Sequence, residues 1–159
     1  MVAGRDLSLT LPGDYTNGNG NTLKANRDVT LHLGGRFGNY AGATLEAVRN
    51  LVVEVSVMDN AYGATINSAR TTLQANHGLA NAGRIEGDSI ELTAVDIDNT
   101  GTVIGNAITM HAGNLTNGAD LGDATGNDAY QGALIAATDS IALYVRGTLL
   151  NRDATIFTT

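Results

Sequence analysis

The chain has 159 residues, 43% of them apolar, with nine Lys and Arg against sixteen Asp and Glu and a formal net charge of −7. That length suits one domain with a sizeable core, and the apolar fraction excludes a disordered chain despite 20 glycines. The few, scattered cations exclude a dominant phosphate-binding surface and disfavour an anionic membrane surface, while the absence of Cys excludes disulfide scaffolds, zinc knuckles and thiol catalysis.

The core must be aliphatic, because aromatics make up only 4% and Trp is absent. A single Pro in the whole chain fits a backbone whose NH groups are mostly committed to ladders. No run of 18 apolar residues is long enough to span a bilayer, so no membrane insertion is expected, and no stretch resembles a signal peptide. Met1 leads straight into repeat sequence, so the chain reads as a fragment of something longer.

In chain order, the first element is the alternating run Leu7/Leu9/Leu11, which predicts a strand with one face buried. A shorter step, Tyr15-x-Asn17, follows, and then a third apolar step at Leu23 after a Gly/Asn-rich bend. The same three steps then recur. The alternating runs continue at Val29/Leu31/Leu33, Leu51/Val53/Val55, Leu73/Ala75, Ile90/Leu92/Ala94, Ile108/Met110/Ala112 and Ile141/Leu143/Val145. The apolar-x-Asn steps continue at Phe37/Asn39, Met58/Asn60, Leu79/Asn81, Ile97/Asn99, Leu115/Asn117 and Leu149/Asn151. The third steps continue at Leu45, Ile66, Ile85, Val103 and Ile156.

From Asn to Asn the spacings are 22, 21, 21, 18, 18 and 34 residues. A beat near 20 covering almost the whole chain means that one small unit is stacked repeatedly. Three short strands per unit predict one turn of a triangular, all-β parallel solenoid, with like strands about 4.8 Å apart. The expectation is a single right-handed parallel β-helix over residues 1–159, of about seven to eight coils of 18–22 residues and about 35–40 Å long. Leucine-rich repeats place their Asn three residues after the last strand Leu and need helical returns, which this sequence lacks. A β-sandwich would not hold one motif in phase over seven units.

Two departures from the beat stand out. Arg5-Asp6, Arg27-Asp28 and Arg49-Asn50 recur 22 apart, which places them at one corner of the first three coils. The 34-residue step exceeds the others by 12 to 16 residues and predicts a Gly/Asn/Asp-rich loop inserted near residues 122–132.

The recurrent Asn residues read as an internal carboxamide ladder rather than as seven ligand sites. Outward positions of the long strand stack as Thr10, His32, Glu54, Gln74, Thr93, His111 and Tyr144. His32 beside Glu54 is at most half a metal site and is expected to be a solvated pair, and His77 lies in a bend without a recurring partner. The densest acidic patch is Glu86, Asp88, Glu91, Asp96 and Asp98, with Arg84 the only nearby cation. A β-helical polysaccharide-cleaving enzyme would need paired carboxylates in a groove; solvated surface is the expectation. The Asn17–Asn21 and Gly126–Asp128 stretches lack the Gly-Gly-x-Gly-x-Asp pattern of calcium-binding repeats, and no phosphate loop or G-x-S-x-G is present. No catalytic residue, metal site or cofactor is predicted, and no nucleic-acid partner.

The strings Arg5–Leu11, Leu79–Gly87 and Ile97–Gly105 resemble filamentous haemagglutinin repeats: an alternating strand, then apolar-x-Asn-x-Gly-x-apolar-x-Gly. The closing stretch Ala133–Ala137, Ile141–Val145 and Leu149–Asn151 is similar to the same family, so the resemblance covers essentially the whole chain. It implies a right-handed parallel β-helix within a large Gram-negative exoprotein exported by two-partner secretion. Such exoproteins are adhesins or the stalks of contact-dependent growth inhibition toxins. The resemblance further implies a secreted or cell-surface location, an outer-membrane transporter during export, neighbouring coils of the parent chain at both ends, and a receptor on a host or target cell. The expected function is a non-enzymatic structural stalk segment. The alternative is a receptor- or glycan-binding module using the 122–132 loop.

Overall fold

The computed structural model describes residues 1–118 and 132–159. Among them every regular element is a β-strand, and every strand pairing is parallel. The chain is a β-solenoid of about seven turns with three faces, the topology of a right-handed β-helix.

The first face stacks β2 (Leu7–Leu11), β5 (Asp28–Leu33), β8 (Asn50–Val55), β11 (Arg70–Ala75) and the middles of β13 (Arg84–Asn99) and β14 (Thr102–Gly118), and ends in β15 (Leu134–Val145). The second carries β3 (Tyr15–Asn17), β6 (Arg36–Asn39), β9 (Val57–Asn60), β12 (Gly78–Asn81), the ends of β13 and β14, and β16 (Leu149–Arg152). The third carries β1 (Val2–Ala3), β4 (Thr22–Ala25), β7 (Thr44–Ala47), β10 (Thr65–Asn67), the starts of β13, β14 and β15, and β17 (Thr155–Thr158).

The alternation in the sequence becomes columns in space. Leu9, Leu31, Val53, Leu73, Leu92, Met110 and Leu143 lie in one register column, and Leu23, Leu45, Ile66, Ile85, Val103, Ile135 and Ile156 in another. Between the two ends these side chains are buried. One position breaks the pattern. The fourth alternating run starts two residues earlier than its apolar residues indicate, and Thr71 fills the column of Leu51 and Ile90. Its hydroxyl lies 2.7 Å from that of Ser68, also buried, so the two polar groups satisfy each other inside the core.

Half of the shortening from 22 to 18 residues falls at the corner after each Asn. In the wide coils this corner spans Gly18–Asn21, Tyr40–Ala43 and Ala61–Ala64, and turns on the left-handed residues Gly20, Gly42 and Gly63, with φ of 71°, 72° and 74°. In the narrow coils it is only Ala82-Gly83 or Thr100-Gly101. A Cβ on Gly101 would stand 2.2 Å from the carbonyl oxygen of Gly83, so the tight corner requires a bare backbone. In these narrow coils the bends at the other two corners are absorbed into the strands: β13 and β14 run continuously through 16 and 17 residues. The insertion falls at the post-Asn corner, between Gly118 and Leu134, and residues 119–131 of it, including nearly all of the 122–132 loop, lie outside the described residues. It does not interrupt the stack, since β14 pairs with β15 and β16 in the register of earlier coils, apart from one irregularity after Gly105.

Candidate functional site

Asn17, Asn39, Asn60, Asn81, Asn99 and Asn117 are buried, and Asn151 follows them at the last coil. Each Nδ2 donates to the Oδ1 of the next Asn along the axis, at 2.9, 2.9, 2.8, 2.7, 2.7 and 2.7 Å. The second hydrogen of each amide goes to a backbone carbonyl that opens a third-face strand, those of Thr44, Thr65, Arg84, Thr102, Leu134 and Thr155. The Asn column therefore ties the second face to the third across the corner where coil length varies. Both amide hydrogens of each Asn from Asn17 to Asn117 are engaged, and from Asn39 onward each carboxamide oxygen accepts from the preceding coil. The expected ladder is present.

The outward column has the expected register throughout, from Thr10 through His32, Glu54, Gln74, Thr93 and His111 to Tyr144. His32 Nδ1 lies 2.9 Å from Glu54 Oε2, both exposed. His111 and Tyr144 stack with ring centroids 4.8 Å apart and planes 7° from parallel. An open, shallow depression of roughly 530 Å³ runs over Thr10, Pro12, His32, Glu54 and Gln74. His77 Nδ1 meets Ser56 Oγ at 3.2 Å. Among the described residues no three His, Asp or Glu side chains converge as metal ligands.

The acidic patch does not assemble into an acid/base pair. Glu86 is paired with Arg84, which its carboxylate holds above the ordinary arginine range. Asp96 accepts a hydrogen bond from Asn114 at 2.8 Å, and Asp88 one from Asn106 at 3.5 Å. Glu91 has Thr72 and Thr109 as its cross-strand neighbours, and Asp98 has Ala80 and Thr116.

The sequence reading missed most of the ion pairs between coils. Lys24 reaches Glu46 at 2.8 Å, Arg49 reaches Asp28 at 2.8 Å, and Arg27 and Arg36 pair with Asp6 and Asp59. The hydrogen bond from Arg27 holds the Asp6 carboxyl below its usual range, and that from Arg49 does the same for Asp28. The available signal was an opposite charge one coil period away. It is visible only once the period is applied to charged residues as well as apolar ones.

The class defined by this arrangement is a parallel β-solenoid whose interior is filled by its own side chains and whose described faces carry ion pairs and hydrogen bonds between coils. The chain matches no protein-family model, no curated protein and no solved structure.

Proposed function

We propose that this chain is a stalk segment of a large secreted bacterial exoprotein of the filamentous haemagglutinin type. In that role it projects an adhesive or toxic element from the surface of a Gram-negative cell, after export through an outer-membrane transporter. The observation that carries the reading is the unbroken Asn ladder, Asn17 to Asn151, running the length of the solenoid. A rod stiffened along its axis by hydrogen bonds in every coil transmits position, and it needs no chemistry on its faces. Neighbouring coils of the parent chain continue it.

Cell-binding and turnover assays on the purified chain test this. The stalk reading expects no saturable binding to target cells or glycans, and no product from a panel of polysaccharides. Saturable binding that disappears on deleting residues 122–132, with the circular dichroism spectrum unchanged, replaces the stalk by a binding module. Turnover abolished by Glu91→Gln replaces it by an enzyme.

A further inference from the structure

Asn followed by Gly is a sequence at which a polypeptide readily modifies itself. The backbone nitrogen after Asn attacks the carboxamide carbon, and Gly leaves that nitrogen unshielded because it carries no Cβ. The chain has three such pairs, Asn17-Gly18, Asn19-Gly20 and Asn117-Gly118. The fold treats them in opposite ways. Asn17 and Asn117 are buried members of the ladder. Asn17 Nδ2 donates to Asn39 Oδ1 at 2.9 Å and to the Thr44 carbonyl at 3.0 Å. Asn117 Nδ2 donates to Asn151 Oδ1 at 2.7 Å and to the Thr155 carbonyl at 3.2 Å. Reaction at either residue has to break both bonds and bring water to a carbon inside the rod.

Asn19 stands two residues after the ladder and outside it. It is exposed, and so is Gly20. The pair forms the middle of the wide corner Gly18–Asn21, which the Asn21 N–H closes by donating to the Gly18 carbonyl at 3.0 Å. The Gly20 N–H reaches the Ala41 carbonyl only at 3.3 Å, longer than an ordinary N–H···O bond, and open space lies where a Gly20 Cβ would stand. The exposure belongs to the corner rather than to the first coil. Ala41-Gly42 and Tyr62-Gly63 hold the same place in the next two coils, with the same closing bond and the same positive φ at Gly. Both pairs have coils on either side of them, and all four residues are exposed. A further coil before residue 1 therefore leaves Asn19 as open as they are.

We propose that Asn19 is a self-modification site, converting to aspartate and isoaspartate in the folded chain, while the ladder shields Asn17 and Asn117 from the same reaction. The Gly20 nitrogen loses its proton to solvent base and bonds to Asn19 Cγ; the Cγ–Nδ2 bond breaks and ammonia leaves. Water then opens the resulting cyclic imide at either carbonyl, giving aspartate or isoaspartate with no oxidant or reductant. Each product adds a negative charge at the corner, and isoaspartate also routes the backbone through Cβ, one atom longer. The rod absorbs both changes, because Asn17 spans this corner from the inside through its bond to the Thr44 carbonyl. The site rests on the corner geometry and is independent of the stalk reading.

Peptide mapping by mass spectrometry after incubation in warm, mildly alkaline buffer tests the proposal, with the same incubation in urea as the reference. In the folded chain the mass gain of amide-to-acid exchange is expected at residue 19, as separable aspartyl and isoaspartyl peptides. In urea all three Asn-Gly pairs should react. Folding should slow Asn17 and Asn117 at least about tenfold, since opening either breaks two hydrogen bonds, and slow Asn19 less than about threefold. Ala41→Asn sets the same pair in an interior corner and should add a second reacting site there. Asn19→Gln, whose longer side chain closes an imide far more slowly, should remove the product at 19 and leave the circular dichroism spectrum unchanged. An Asn19 that reacts in urea but stays intact in the folded chain overturns the proposal. So does reaction at Asn17 or Asn117 as fast in the folded chain as in urea, or an inert position 41 in the Ala41→Asn variant.

Discussion

Replacing Asn81 with Ala cuts the carboxamide ladder at its centre. Asn81 is 1% exposed; its Oδ1 accepts from Asn60 at 2.8 Å, and its Nδ2 donates to Asn99 at 2.7 Å and to the Thr102 carbonyl at 3.2 Å. Three hydrogen bonds disappear, and the polar atoms they served stay inside the rod, since Asn60 and Asn99 are each 1% exposed. Leaving a buried donor or acceptor unpaired costs about 1–3 kcal/mol per group. Asn60 keeps its bond to the Arg84 carbonyl, and the Thr102 carbonyl has a second lone pair, so the full penalty falls mainly on Asn99 Oδ1 and on one hydrogen of Asn60. The expected loss is about 3–5 kcal/mol, a large part of the 5–15 kcal/mol that holds a typical domain together. Urea unfolding measures the total. Amide hydrogen exchange locates it, with protection falling in the two coils that flank residue 81 and not at the rod ends. Asn151→Ala is the comparison: that residue is exposed, and its loss leaves a single hydrogen of buried Asn117 without its partner, so it should cost about 1–3 kcal/mol, less than the change at 81. Equal effects at positions 81 and 151, or a cost below about 1 kcal/mol at 81, would refute the view that the ladder contributes to stability through burial.

Leu92 is 1% exposed between Leu73 and Met110, so Leu92→Asp buries a charge with no partner and should unfold several coils, seen as a loss of β signal well beyond one coil's share. Asp6 and Asp28 are held below the usual carboxylate range by hydrogen bonds from Arg27 and Arg49. A carboxyl depressed in the folded chain stabilises it above the unfolded pKa, and that contribution is lost as pH falls through the folded one. Stability should therefore decline as pH drops below about 4, and Asp28→Asn should flatten that decline in acid-titrated urea midpoints. Deleting residues 85–102 removes one complete period, because Ile85 and Val103 share a register column; the shortened chain should fold with a modestly lower urea midpoint, whereas deleting residues 85–93 should prevent folding.

Much of this architecture was legible because the interior repeats. Leu7, Val29 and Leu51 identify a strand column, and Asn17 through Asn151 identify the ladder, since each coil must offer the same residue type to the coil above and below. Thr71 was not legible. It replaces an apolar residue, and only Ser68, three residues earlier in the bend between β10 and β11, explains why that is tolerated. The fusion of three strands into β13 was missed for a related reason. The bend residues Gly87, Asp88 and Val95 look like loop, yet coil shortening keeps the backbone on either side of them within the ladder. Charged positions were the least legible. Arg36 and Asp59 are 23 residues apart, a pairing no local window reveals.

The different tolerance of the three corners follows from the same physics. A carboxamide at the end of each second-face strand satisfies the carbonyl that opens the third-face strand of the next coil, whatever lies between. The corner is thereby held by a side chain in every coil, whether or not it also has a backbone turn of its own, as the wide corners do. Its length can then change from the four residues Gly18–Asn21 to the pair Ala82-Gly83, or expand between Gly118 and Leu134, while the Asn99–Asn117 and Asn117–Asn151 bonds both stay at 2.7 Å. The other two corners lack such a strap and vary by only a residue or so across the described coils. An insertion is tolerated at the corner where the interior, not the loop, sets the distance between strands. That is why the sequence between residues 118 and 134 is free to differ from every other coil without disturbing the rod.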